Sequence, residues 1–146
     1  MKEPEWSSFG RLMGLDVGDK RIGVAVTDES RIVASPVTTV FRDKQALERF
    51  TVLKSTYEIL AIVAGLPRGM SGREGPQAAD VREYADELGS ALDLPVRYWD
   101  ERLTTAQAER TLIETGQRRN RRKLHIDAVA ASLMLQNYLD SRNRGH

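Results

Sequence analysis

Three positions carry acids where an acid needs explaining. Asp16 interrupts the apolar run Met13-Gly14-Leu15-Asp16-Val17-Gly18; Asp100-Glu101 closes a late extended segment; and Asp127 opens the last apolar-striped helix. Burying a lone carboxylate costs several kcal/mol unless it is paired or binds a metal. Each acid also has an ordinary explanation. Asp16 suits a hairpin cap, Asp100 and Glu101 suit surface ion pairs with Arg97 or Arg102, and Asp127, expected in a first helical turn, suits the helix dipole. If the acids converge, they supply hard oxygen ligands of the kind magnesium and manganese prefer. Two such ions about 3.5–4 Å apart activate water and stabilise the leaving oxygen of a phosphodiester. Successive strand residues face opposite ways, so only one of Asp100 and Glu101 looks into such a site, and Glu101 shares a face with Arg97 and Trp99 if the strand is regular.

Two further segments suit a phosphate-bearing substrate. Gly65 to Pro76 is glycine-rich, carries Arg68 and Arg73, and runs into a helix start, where backbone amides bind anions; an ordinary connection has the same composition. It is not a Walker loop, because no Gly-Lys-Ser/Thr follows. Arg118, Arg119, Arg121, Arg122 and Lys123 crowd five cations into six residues shortly before Asp127, reading either as a phosphate contact or as a solvated interhelical loop. His125, close by, reads as structural.

The elements that must position these residues follow from periodicity. Leu12–Val17 and Arg21–Val26 flank a Gly-Asp-Lys turn and read as a hairpin. Ile32–Val40 reads as a third strand, placed at a sheet edge by Pro36. Asp43–Tyr57 carries Leu47, Phe50 and Tyr57 at helical intervals, and Ile59–Ala64 is a continuous apolar run suited to a strand buried on both faces. Pro76 opens a helix striped by Val81, Tyr84, Ala85, Leu88 and Leu92, after which Pro95–Trp99 is extended. A helix beginning at the Thr104/Gln107 capping signature and ending near Gly116 precedes a last one striped by Ile126, Val129, Ala130, Leu133 and Met134. The expected architecture is α/β: a mixed five-stranded sheet, βββαβαβαα, with helices on both faces. Ligands gather beyond the carboxyl ends of strands in such sheets, which is where the acids fall.

The chain's 146 residues suit one domain, expected over 11–140 with an extra segment 1–10 and a tail 141–146. The formal charge of only +1 does not announce a polyanionic partner, but residues 118–146 hold seven Lys/Arg against two acids. With no cysteine, disulfides, thiolate metal sites and a cysteine nucleophile are excluded. The start of the chain has no apolar leader and no run nears the roughly 20 apolar residues that span a bilayer, so a cytoplasmic protein without a membrane partner is expected.

Taken together, Gly14-Leu15-Asp16-Val17-Gly18 with Arg21-Ile22-Gly23-Val24-Ala25, Gly65-Leu66-Pro67 with Gly72-Arg73-Glu74-Gly75-Pro76-Gln77-Ala78, Asp100-Glu101-Arg102-Leu103-Thr104-Thr105-Ala106, and Asp127-Ala128-Val129-Ala130-Ala131 resemble, in order, the motifs of the YqgF/RuvX family. The resemblance covers nearly the whole chain. It implies a ribonuclease H-like fold, an acidic site of Asp16, Glu101 and Asp127, and dependence on magnesium or manganese. The implied activity is that of a nuclease on structured RNA, maturing the 5′ end of pre-16S ribosomal RNA, or of a Holliday junction resolvase on branched DNA, working as monomer or homodimer. Two readings from other classes are a catalytically silent nucleic-acid binder and a relative of the actin and sugar-kinase fold. Those kinases need two such domains, and this chain has length for one.

Overall fold

A computed structural model describes residues 8–67, 74–100 and 119–144, with side chains from 126 to 143 in the last stretch. The elements are β1 (Arg11–Val17), β2 (Arg21–Thr27), β3 (Ala34–Phe41), α1 (Ala46–Tyr57), β4 (Ile59–Leu66), α2 (Pro76–Leu92), β5 (Val96–Asp100) and α3 (Arg119–Arg144). The five strands form one sheet in the order β3-β2-β1-β4-β5. β1 to β3 make the expected antiparallel meander, while β4 and β5 add in parallel beside β1. The helix expected over Thr104–Gly116 lies outside the described residues.

Strand alternation divides the core into two layers. Met13, Leu15 and Val17 of β1 join Ile22, Val24 and Val26 of β2 against Phe50 of α1 and Val81, Ala85 and Leu88 of α2. On the opposite face Leu12, Ala25, Ala61 and Val63 meet Ala131, Met134, Leu135 and Tyr138 of α3. β4 therefore buries both faces, as its uninterrupted apolar run requires. β3 is at the sheet edge, and the register slips between Val24 and Ala25 where Pro36 enters the pairing. Proline, lacking an amide hydrogen, is tolerated at such an irregularity on an edge.

Four boundaries and faces differ from the sequence expectation. β3 starts at Ala34, because the amides of Ile32 and Val33 both bond to Asp28 Oδ1, at 2.8 and 2.9 Å, and so belong to the preceding turn. α1 starts at Ala46, since Asp43 Oδ1 accepts from the Gln45 amide at 3.0 Å in a local turn; Leu47 on that helix is exposed. α3 starts at Arg119, within the basic run, so Arg119 to Lys123 are helical and Asp127 lies eight residues in, not in the first turn. The buried face of α3 is also shifted: Ala130 and Met134 of the expected stripe are buried, but so are Ala128, Ala131, Leu135 and Tyr138, while Ile126, Val129 and Leu133 are only partly covered. Asp127 thus stands on the line of Ala131, Met134 and Tyr138, at helical spacings of four, seven and eleven residues.

Glycine sets how closely α3 lies on the sheet. A Cβ at Gly23 on β2 would collide with the carbonyl of Asp127 and stand 3.0 Å from the Ala128 nitrogen, whereas at Gly14 it would stand 2.9 Å from Leu135 Cδ2. The first obstacle is helix backbone and the second a side chain. Gly23→Ala is therefore expected to destabilise the protein by about 3 kcal/mol, and Gly14→Ala by about 1 kcal/mol, as overpacking that backbone or a side chain must absorb. Urea unfolding of the two variants side by side checks the order; equal midpoints would refute it.

Candidate active site at the carboxyl end of β1

Asp16 is the next-to-last residue of β1 and half-buried between the buried Leu15 and Val17. It faces the α3 side with Leu12 and Gly14, and its Cα partner across the ladder is Gly23. Antiparallel partners stand about 4.5–5.5 Å apart at Cα, so Asp16 adjoins the spot where the Asp127 backbone rests. On its other side Gly65 of β4 lies one residue beyond the Leu15–Ala64 pair, and Gly65 in turn pairs with Trp99 of β5. Asp16 is thus flanked in its row by two residues without side chains. The Asp127 backbone lies against Gly23, one strand from Asp16, and the helix-dipole explanation for Asp127 falls with the earlier start of α3.

A residue that the sequence reading passed over completes this corner. Arg21, at the start of β2 and on the same face as Gly23, donates from Nε to Asp127 Oδ2 at 2.7 Å. The Asp127 side chain is 19% exposed and that of Arg21 is 37% exposed, so the ion pair sits at the rim rather than in the core. In the sequence Arg21 stood as the first residue of a strand and a member of the opening motif, with no role attached; its partner lies 106 positions away, beyond the reach of local pattern.

The turn joining β1 to β2 is fixed from outside by Arg42. Its amide donates to the Lys20 carbonyl at 2.9 Å and its Nη1 to the Gly18 carbonyl at 2.9 Å. The same guanidinium grips Asp80 of α2 through two bonds, of 2.8 and 3.2 Å, and lies 4.5 Å from the centre of the Tyr84 ring. This bidentate hydrogen-bonded pairing holds the Asp80 carboxyl below its ordinary range and raises Arg42.

The third acid of the expected site, Glu101, lies outside the described residues, as do Arg68, Arg73 and Arg118. Two residues before Glu101, Trp99 belongs to the α3 layer and meets Tyr138 edge-on at 5.6 Å between ring centres. Val96 and Tyr98 belong to the opposite layer, so alternation sets Asp100 away from Asp16. Arg119, Arg121, Arg122 and Lys123 occupy the first turns of α3, leading into Asp127. Among the described residues no three His, Cys, Asp or Glu converge as a metal cluster. Asp16 and Asp127, placed side by side by the backbone at Gly23, both carry hard oxygens, and the bond from Arg21 is to one oxygen of Asp127, so the donor chemistry fits a divalent cation of the magnesium type. No helix among the described residues is long and apolar enough to cross a membrane.

Comparison with known proteins agrees with this geometry. Residues 10–141 match the family model described as RuvX, Holliday junction resolvase. A relative from Roseiflexus sp. (strain RS-1) is 47% identical over 93% of this chain and 98% of its own, and one from Lactococcus lactis subsp. lactis is 48% identical over 91% and 96%; both bear the provisional name pre-16S rRNA nuclease. Among solved structures, Thermus thermophilus RuvC in complex with Holliday junction substrate superposes with a TM-score of 0.54 at 14% identity, covering 93% of this chain and 97% of that one. The fowlpox virus Holliday junction resolvase gives 0.51 at 14% identity, covering 90% and 99%. The fold is therefore the ribonuclease H-like fold of these resolvases, and the chain belongs to the RuvX family.

The Arg42–Asp80 clamp gives a pH-dependent prediction. A carboxyl with a lowered folded pKa adds stability that is fully present above its unfolded value, near 3.8, and fades as pH falls through the lower folded value. Asp80 is 42% exposed on its side chain, so solvent screens the pair. Asp80→Asn is expected to cost about 0.5–1 kcal/mol at neutral pH, a cost that shrinks as the solution is acidified below the unfolded carboxyl value and through the lowered folded one. Thermal melts of both proteins across that range test it; a gap that persists in acid would assign the effect to packing instead.

Proposed function

From membership in the RuvX family we propose that this chain is a metal-dependent nuclease whose site is built on Asp16 and Asp127, with Glu101 as third carboxylate. The observation that carries the reading is that the Asp127 backbone rests on Gly23, the ladder partner of Asp16, at the carboxyl end of the sheet's central strand. Trp99, two residues before Glu101, faces the same layer, which supports the third ligand.

Asp16, Glu101 and Asp127 would hold magnesium or manganese. Such ions, when bound, activate water and offset the charge that develops on a phosphodiester undergoing hydrolysis. The chain's own residues provide the rest. β1, packed on both faces, fixes the Asp16 backbone; Arg21 holds Asp127 by one oxygen; and Gly23 and Gly65 leave the sheet beside Asp16 free of side chains. Arg119, Arg121, Arg122 and Lys123 on α3, with Arg68, Arg73 and Arg118, would bind backbone phosphates, an interaction that positions a strand without reading its sequence.

The substrate we favour is structured RNA, in 5′-end maturation of pre-16S ribosomal RNA, because the curated relatives at 47–48% identity bear that name. Branched DNA is the second reading, favoured by the family description and by the RuvC fold. A resolvase cuts two strands symmetrically and works as a dimer, so a monomeric enzyme would favour RNA.

End-labelled precursor rRNA, single-stranded RNA and a four-way DNA junction, each with EDTA, magnesium or manganese, test the reading. Wild-type protein is expected to cut one of them only with metal, and folded Asp16→Asn to cut it at least about a hundredfold more slowly, since a lost ligand removes metal chemistry. Binding without cutting under every condition would leave a nucleic-acid binder.

A further inference from the structure

We propose that Arg21 contacts the substrate: anchored through Nε on Asp127, it presents its two terminal amino groups to a phosphate of the bound strand. The proposal rests on the reading that nucleic acid lies over Asp16 and Asp127, and extends it to a residue outside the acidic set and the basic clusters.

A guanidinium has five N–H donors in a planar fork. The bond to Asp127 uses the one on Nε, at 2.7 Å. No hydrogen bond or ion pair engages Nη1 or Nη2 among the described residues, so four donors remain. Burial differs across the pair: the Asp127 side chain, on the Nε side, is 19% exposed and the Arg21 side chain 37% exposed, so the pair lies at the rim of the site with solvent access on the arginine. Arg42 makes the contrast. Both its Nη atoms bond within the protein, to Asp80 and to the Gly18 carbonyl, and it stacks on the Tyr84 ring, so it fastens the turn.

A purely neutralising partner for Asp127 would need only a positive charge. Arginine instead meets a phosphate through two parallel N–H donors, which is the edge left open here. Held by a carboxylate of the acidic pair, that edge places a phosphate within one side chain of Asp127, so the residue fixes which phosphodiester stands over the acids.

The test is binding rather than turnover. Anisotropy of a labelled four-way DNA junction and a labelled single-stranded RNA is measured in EDTA, from about 50 to 200 mM salt, for wild type, Arg21→Gln and Arg21→Lys. Glutamine keeps a donor for Asp127 and lysine keeps the charge, and a thermal melt of each variant confirms folding. Arg21→Gln is expected to bind about tenfold more weakly, with the slope of log affinity against log salt smaller by about 0.7–0.9, the signature of one lost phosphate contact. Arg21→Lys should retain the wild-type slope while losing a few-fold in affinity. An unchanged slope and affinity in folded Arg21→Gln would overturn the assignment even if wild type cuts with metal. A reduced slope in a protein that never cuts would uphold Arg21 and remove the nuclease reading.

Discussion

The arrangement at the carboxyl end of β1 depends on one close approach, that of the α3 backbone to β2 at Gly23. Any side chain there would meet the Asp127 carbonyl. With hydrogen in its place the helix lies against the strand, and Asp127 comes to the level of Asp16, its ladder neighbour once removed. The same contact dictates the composition of the helix face. Ala128 and Ala131 are small where the gap is narrowest, and larger Met134, Leu135 and Tyr138 follow where the helix reaches Gly14, Leu12 and β5. Close packing transmits such a constraint, because a dense interior has no void into which a displaced helix could settle.

The opposite face of the sheet answers a different need. Asp16 can be half-buried at the end of a strand only if that strand does not shift. Met13, Leu15 and Val17 fasten it to α1 and α2, while Arg42 ties the following turn to Asp80. The polar clamp lies at the rim, where a charged group keeps part of its hydration, and the apolar fastening lies below it. That division follows from the cost of burying ions: charge is used where water still reaches.

Much of this was legible in local sequence. The Gly-Asp-Lys turn predicted the hairpin, the run Ile59–Ala64 predicted a strand covered on both sides, Pro36 predicted an edge, and Asp16 stood out because nothing apolar needs an acid beside it. The extent and rotation of α3 were not legible. The stripe Ile126, Val129, Leu133 is as apolar as the face actually buried, and only the glycines of distant strands decide which face can come closest. Arg21 and Arg42 were missed for a related reason. Their partners, Asp127 and Asp80, are 106 and 38 positions away, and an arginine at a strand end is commonplace until the fold supplies its carboxylate.

The early start of α3 changes what its cations can do. In a loop, Arg119 to Lys123 would have no fixed relation to the acids; in a helix they are set out along its axis at 1.5 Å per residue. Lys123 and Arg119 then precede Asp127 by about 6 and 12 Å of axial rise. Those steps are comparable to the spacing of phosphates along a nucleic-acid strand, which carries one charge per strand for each roughly 3.4 Å of duplex axis and a wider spacing when extended. In the function proposed above, a strand laid along this helix toward Arg21 would pass from the cation-bearing first turns to the carboxylates, whose repulsion bound cations would offset.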